Sequence, residues 1–460
     1  MRPAKDRTGA KPGSPAKISA SWRPSLVPPN ITTFKAMSFE LSPTPAQTAA
    51  PAPAAGFAAG RPWLTLVGVG AEGVAGLSAR AQAAILEAEL VVGSERQLEL
   101  VRPLLRRETW LWPTPFALGI TRLLERRGQP TCVLASGDPY FFGVGATLAP
   151  HLPRTELTCH PAPSSLSLAA ARLGWALQEL EVVSLHGREL GEVLRYLQPG
   201  RRILALSWNR DTPAELGRLL SERGFGSSRL SVLEALGGPE ERIRSHRASE
   251  APPPDISDLN LVAIEVEAEA GALLLGCRGS LPDSAFEHDG QLTKQDIRAL
   301  TLSALQPRPG ARLWDVGAGA GSIAIEWLLS HRACSAIAVE RDAERCERIR
   351  RNAKRLGTPA LELAHGAAPE ALAGLARPDA IFIGGGANPS VLDVCWNALL
   401  PGGRLVVNAV ALETEALLLR AYAERGGELR RLSIESAAPL GTLTGWRPAL
   451  PVVQWRIDKS

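Results

Sequence analysis

Residues Arg312–Leu329 read RLWDVGAGAGSIAIEWLL. An apolar strand runs into a glycine-rich turn, and the turn runs into an apolar helix. Gly317, Gly319 and Gly321 let the backbone bend sharply and approach a ligand with no Cβ in the way. The helix behind them offers free N–H groups to a polar ligand. Asp315, at the strand end, is placed to anchor an amino group such as that of a methionine moiety. A strand, turn and helix in this order predict a parallel α/β sheet.

The flanking sequence extends the pattern. Helices are expected at Lys294–Leu305, Ser322–Leu329 and Ala343–Leu356, with strands at Arg312–Val316 and Ser335–Val339. The second of these strands runs on to Glu340, and an acid at that tip is where the paired hydroxyls of a ribose find an acceptor. The turn reads D-x-G-x-G-x-G rather than G-x-G-x-x-G, which points to S-adenosylmethionine (SAM). A nicotinamide cofactor and a purely structural turn stay open on these residues alone. The later strand in DAIFIGGGANPS (379–390) leads into Gly384, Gly385 and Gly386. An Asn/Asp-Pro-Pro-aromatic segment, expected for methylation of exocyclic amines of bases, is missing there. A glycine floor leaves room for a large planar substrate instead.

The first half has the same rhythm. WLTLVGVGAEG (63–73), TCVLASGDP (131–139), LEVVSLHGR (180–188) and RRILALSW (201–208) are apolar runs, each followed by helical pattern. From Arg229 onward, RLSVLEALGGPEERIRS and LNLVAIEVEA read as antiparallel strands. Three features mark strand ends that face one cleft: Gly68 and Gly70, then Ser136, Gly137 and Asp138, then Ser164 and Ser165 at a helix start. The two serines also suit ordinary helix caps.

Length and composition frame the rest. A chain of 460 residues is too long for one ordinary core. Residues 1–60, rich in Pro and Ala, read as a disordered extension; for its basic first part, a plain tail or translation from Met37 is favoured over a transit peptide. Residues 61–272 form a first α/β domain, 273–290 a linker, and 291–460 a second α/β domain. Six cysteines without a CxxC pair suit a reduced, cytoplasmic protein and predict no metal site. With a net charge of +4, 45% hydrophobic residues and no long apolar run, neither nucleic acid nor membrane is an expected partner. Only seven of the 51 basic residues are lysine. Arginine forks would suit a polycarboxylate, although GC-rich codon usage is the simpler cause.

VGVG, SGDPYFFGVG and PAPSSLSLAAARLGWALQELEVVSLHGR resemble the tetrapyrrole methylases of corrin synthesis. FEHDGQLTKQDIRALTL, WDVGAGAGSIAIEW, GAAPEAL and GWRPALPVVQW resemble the partner domain fused to them in the decarboxylating precorrin-6Y C5,15-methyltransferase family. The resemblance covers roughly residues 62–457. It implies a tetrapyrrole-methylase fold of two α/β subdomains, followed by a Rossmann-like SAM-dependent methyltransferase domain. It also implies one SAM per domain, a tetrapyrrole substrate methylated at carbons 5 and 15, loss of carbon dioxide from the acetate on carbon 12, and self-association. Carbon 5 would belong to the first domain; carbon 15 and the decarboxylation would belong to the second. The SAM contacts it implies are Thr293, Gly317, Ala318, Gly319, Ala320, Gly321, Glu340, Gly366 and Ala367 in the second domain. In the first domain they are Gly68, Ser136 to Asp138 and the Ser164–Ser165 loop. Ala367 stands where the family commonly has an acid. No Ser-His-Asp set is expected. His186 and His288 could manage a proton but read as ordinary hydrogen-bonding residues, and Arg298, Arg312 and Arg447 could meet substrate carboxylates but read as solvated surface.

Overall fold

The computed structural model describes residues 62–275 and 280–459. The disorder expected for residues 1–60 falls outside them. Three main sheets account for the chain. The first contains β1 (Leu64–Val69), β2 (Leu90–Gly93), β3 (Glu108–Leu111), β4 (Thr131–Ser136) and β5 (Leu157–His160), all parallel in the order β3-β2-β4-β1-β5. Its central strands are apolar on both faces because helices cover both sides. Ser78 caps the helix Ala79–Glu87 by accepting from the Ala81 N–H, and Ser164 does the same for Ser165–Leu173.

The second sheet is mixed. It contains β6 (Leu180–Ser184), β7 (Arg202–Leu206), β8 (Arg229–Glu234), β9 (Arg242–Arg247) and β10 (Asn260–Glu265), in the order β6-β7-β10-β8-β9. The strands from Arg229 onward are antiparallel, as the alternation and turn residues predict.

The third sheet is built from β11 (Arg312–Val316), β12 (Ser335–Glu340), β13 (Glu362–His365), β14 (Ala380–Ile383), β15 (Arg404–Ala409) and β16 (Glu428–Leu432). A hairpin, β17 (Glu435–Leu440) and β18 (Leu443–Pro448), stands apart. The last strand, β19 (Val452–Asp458), returns antiparallel between β15 and β16, giving the order β13-β12-β11-β14-β15-β19-β16. Trp314, Trp327 and Trp455 fill this core. Each indole N–H donates to a backbone carbonyl, of Ala376, Ser335 and Gly426 respectively, so three large rings are buried with no orphaned donor.

The two halves share apolar packing. Val193, Leu194 and Leu197 lie in one cluster with Ile325, Leu329, Ala353 and Leu356. Arg195 donates to the Leu328 carbonyl at 2.6 Å and Arg223 to that of Arg355 at 3.1 Å across the same junction. No helix among the described residues is long and apolar enough to cross a membrane.

Candidate functional site

β11 carries Asp315 to the carboxyl edge of the third sheet, with β12 on one side and β14 on the other. Strand order reverses about β11, and such a switch point opens a crevice beyond the strand ends. The glycine turn lines it. Gly317 has φ 71°, and a Cβ there would lie 2.6 Å from the Gly385 carbonyl oxygen. The turn and the glycine loop after β14 therefore meet backbone to backbone. The N–H groups of Gly317 and Ala318 both donate to the Val339 carbonyl, at 2.9 and 3.1 Å. Ala320 accepts from the Asn352 side chain, and Gly321 begins the helix Ser322–Ser330. A Cβ on Gly319 would meet the Gln291 carbonyl oxygen at 2.9 Å, so the chain just ahead of Thr293 lies against the turn.

Two buried acids sit beneath this backbone. Glu340 accepts from the Gly319 N–H at 2.8 Å and from the Asp342 N–H at 3.1 Å, one on each oxygen. Each oxygen keeps a further lone pair. Gly366 donates to the Glu340 carbonyl at 2.9 Å, which brings the loop with Ala367 alongside. Asp315 is 1% exposed. Its Oδ2 accepts from the Ala324 N–H at 3.0 Å, while Oδ1 has no partner among the described residues. Burial pushes this carboxyl up to about 7; the Ala324 N–H pulls the other way, and the Glu340 charge adds to the rise. A buried carboxylate oxygen without a partner, next to a cradle too narrow for any side chain, fits a cationic, closely held ligand.

The first sheet forms its cleft from three loops. A Cβ on Gly68 would lie 2.0 Å from the Gly137 oxygen and 2.5 Å from the Ala162 nitrogen. Gly137 donates to the Val69 carbonyl at 3.1 Å, and Ala162 donates to that of Gly137 at 3.3 Å. The ends of β1, β4 and β5 are thus stitched together. Asp138 turns its carboxylate back onto the Tyr140 N–H at 2.8 Å. Ser136 accepts from the Gln97 side chain at 3.1 Å. Ser164 is engaged as a helix cap, and Ser165 is exposed beside it. Gly70 follows at the mouth of β1, accepting from the Gly73 N–H at 3.1 Å.

Several weaker candidates sit elsewhere. Arg298 is neither a substrate ligand nor a surface residue. It is 0% exposed and donates to Glu326 at 2.6 Å, to Asp283 at 3.2 Å, and to the Thr293 and Leu281 carbonyls. An apolar helix face leaves a guanidinium nowhere to go but to a buried acid, and Glu326 on the neighbouring helix supplies one. Arg312 begins β11, at the edge opposite the glycine turn, and Arg447 lies exposed on β18. His288 accepts from the Gly290 N–H at 3.1 Å, and His186 stacks on Trp208. Sequence reasoning missed the Arg298–Glu326 pair because it joins residues on different helices. It also missed the buried Thr301–Asn408–Gln454 hydrogen-bond cluster, which ties a helix to two strands.

The fold and both strand-end clefts define a pair of methyltransferase modules in one chain. Residues 63–252 match the tetrapyrrole (corrin/porphyrin) methylases, and residues 284–459 match the precorrin methyltransferase domain. The chain belongs to the decarboxylating precorrin-6Y C(5,15)-methyltransferase family. It is 50% identical to a precorrin-6Y C(5,15)-methyltransferase [decarboxylating] of Sinorhizobium sp over 87% of this chain and 97% of that protein. It is 44% identical to the protein of that name from Mycobacterium tuberculosis strain H37Rv, over 86% of this chain and all of the relative. The crystal structure of the C-terminal domain of precorrin-6Y C5,15-methyltransferase from Rhodobacter capsulatus is 45% identical. It covers 40% of this chain and 100% of its own, with a TM-score of 0.38.

Proposed function

We propose that this enzyme methylates a precorrin-6Y-type macrocycle at carbons 5 and 15 and removes carbon dioxide from the acetate on carbon 12, with one SAM site in each half. Residues 61–272 take carbon 5, and residues 291–460 take carbon 15 and the decarboxylation, with 273–290 as the connection. The observation that carries this reading is the presence of two complete glycine-lined strand-end clefts in one chain, each in a segment that matches a tetrapyrrole-modifying family.

Bound SAM supplies a methyl group on a positively charged sulfur, so transfer to an electron-rich ring carbon rests on alignment more than on acid–base groups. In the second half, the spare lone pairs of Glu340 suit a ribose diol. The orphaned Asp315 Oδ1 suits an ammonium, and the glycine turn lets backbone approach closely. Ala367 offers no carboxylate, so the contact on that side comes from backbone. In the first half, Gly68, Gly70, Gly137, Asp138 and the Ser136, Ser164 and Ser165 hydroxyls form the corresponding cradle. The glycine floor at Gly384–Gly386 suits a flat substrate better than a nucleic-acid base in a duplex.

We assign the enzyme to the cytoplasm; the five described cysteines are free and four of them are buried, as a reducing compartment allows. Self-association is the role we give the hairpin β17–β18, whose Leu440, Leu443 and Trp446 are 69–73% exposed. Mass spectrometry of the product formed from SAM and precorrin-6Y tests the main proposal. Gain of two methyl groups with loss of carbon dioxide is the expected result. A single methylation would overturn the two-site division, and an unmodified substrate would overturn the substrate class.

A further inference from the structure

Beyond Asp138 the chain does something that apolar side chains rarely do. Tyr140, Phe141 and Phe142 follow one another in the loop after β4 and are 46%, 44% and 51% exposed. The Phe141 and Phe142 rings meet edge to face, with centroids 5.1 Å apart. Phe142 has φ 54°, a left-handed conformation that bulky residues seldom adopt. The loop has little freedom to relax. Gly145 donates to the Pro139 carbonyl at 2.8 Å, and a Cβ on Gly143 or Gly145 would lie 2.6 or 2.7 Å from that same oxygen. Phe141 donates to the Asp138 carbonyl at 3.2 Å. A strained, braced loop thus holds three rings out in solvent, two residues from the candidate SAM cradle.

We infer that Tyr140, Phe141 and Phe142 form a stacking shelf that positions the tetrapyrrole macrocycle for methylation in the first half, with Phe142 as the main specificity contact. This rests on the proposed carbon-5 role of that half. A conjugated macrocycle offers a broad flat face, and offset or edge-on contact with aromatic rings is the arrangement such faces favour. A rigid shelf also loses little freedom when the substrate arrives, which favours binding.

The test uses full-length enzyme, SAM and precorrin-6Y, with carbon-5 and carbon-15 methylation followed separately. Phe142→Gly suits the left-handed backbone, so the fold is retained while the ring is removed. The expected result is a KM for the tetrapyrrole in carbon-5 methylation raised about tenfold, with kcat and SAM affinity changed by less than roughly threefold and carbon-15 methylation as in the parent. Phe142→Tyr, which keeps the ring, should restore the parental KM. Asp138→Ala, run in parallel, reports on the underlying assignment. If carbon-5 methylation is lost in Asp138→Ala yet keeps its parental KM in Phe142→Gly, the shelf is overturned alone. If carbon-5 methylation survives Asp138→Ala at full rate, the carbon-5 assignment fails and the shelf falls with it.

Discussion

The two halves line their clefts with glycine in opposite ways. In the second half one continuous turn does the work, and buried acids hold it from below: Glu340 through the Gly319 N–H, Asp315 through the Ala324 N–H. In the first half three separate loops converge. They are fastened by backbone contacts among Gly68, Gly137 and Ala162, with no buried carboxylate among the site residues. A close backbone approach is thus stabilised either electrostatically by charge under the turn or sterically by loops that leave no room for a Cβ.

The glycines separate the two halves most sharply. Gly68→Ala puts a methyl group 2.0 Å from a backbone oxygen, whereas Gly317→Ala meets Gly385 at 2.6 Å. Each should silence its own half, lowering one methylation by roughly 100-fold or more and sparing the other, as counted by product mass. Equal loss of both methylations in either variant would mean the clefts do not work independently. Next comes the buried pair that ties the second half to the chain ahead of it. Arg298→Met strands the Glu326 charge and should destabilise the protein by about 3–5 kcal/mol in urea unfolding. Adding Glu326→Leu should recover most of that, because both charges are then gone.

A subtler contrast is in pH. Asp315 rises from 3.8 to about 7 in the fold. Its proton is retained there after an unfolded chain would have released it, so its contribution to stability is full at pH below 3.8 and is lost as pH climbs through about 7. An ammonium ligand prefers the ionised form. SAM affinity of the second half should therefore increase several-fold from about pH 6 to about pH 8, and Asp315→Asn should flatten that rise in calorimetric titrations. The first half, without such a buried acid, should show little change. The smallest effect on stability belongs to Ser164→Ala, which removes a helix cap worth about 1 kcal/mol. Thermal unfolding should register it while the second half's methylation is untouched.

These contrasts explain what was legible in the sequence. The third sheet was readable because its site is contiguous. Arg312–Val316 is a strand with the expected bounds, the helix Ser322–Ser330 runs one residue further, and the strand after it ends on Glu340. Local periodicity and glycine spacing carry that information within thirty residues. The first cleft was readable only as three scattered turns, since their convergence depends on strand order, which neighbouring residues do not encode. Arg298 went astray for the same reason. Its partner lies 28 positions away on another helix, and an isolated arginine on an apolar helix face looks the same whether it reaches a ligand or a buried acid. The exposure of Phe141 and Phe142 was illegible too, because aromatic residues next to a glycine turn usually tuck inward.

The shared cluster in which Val193, Leu194 and Leu197 meet Ile325, Leu329, Ala353 and Leu356 bears on whether the halves can be taken apart. Two catalysts joined by a loose tether alone could be produced apart with nothing newly exposed. Here each half covers apolar side chains of the other, so a half produced alone would expose an oily flank of leucine, isoleucine and valine to water. Such a fragment should tend to stick to itself or precipitate unless the matching half is supplied alongside it.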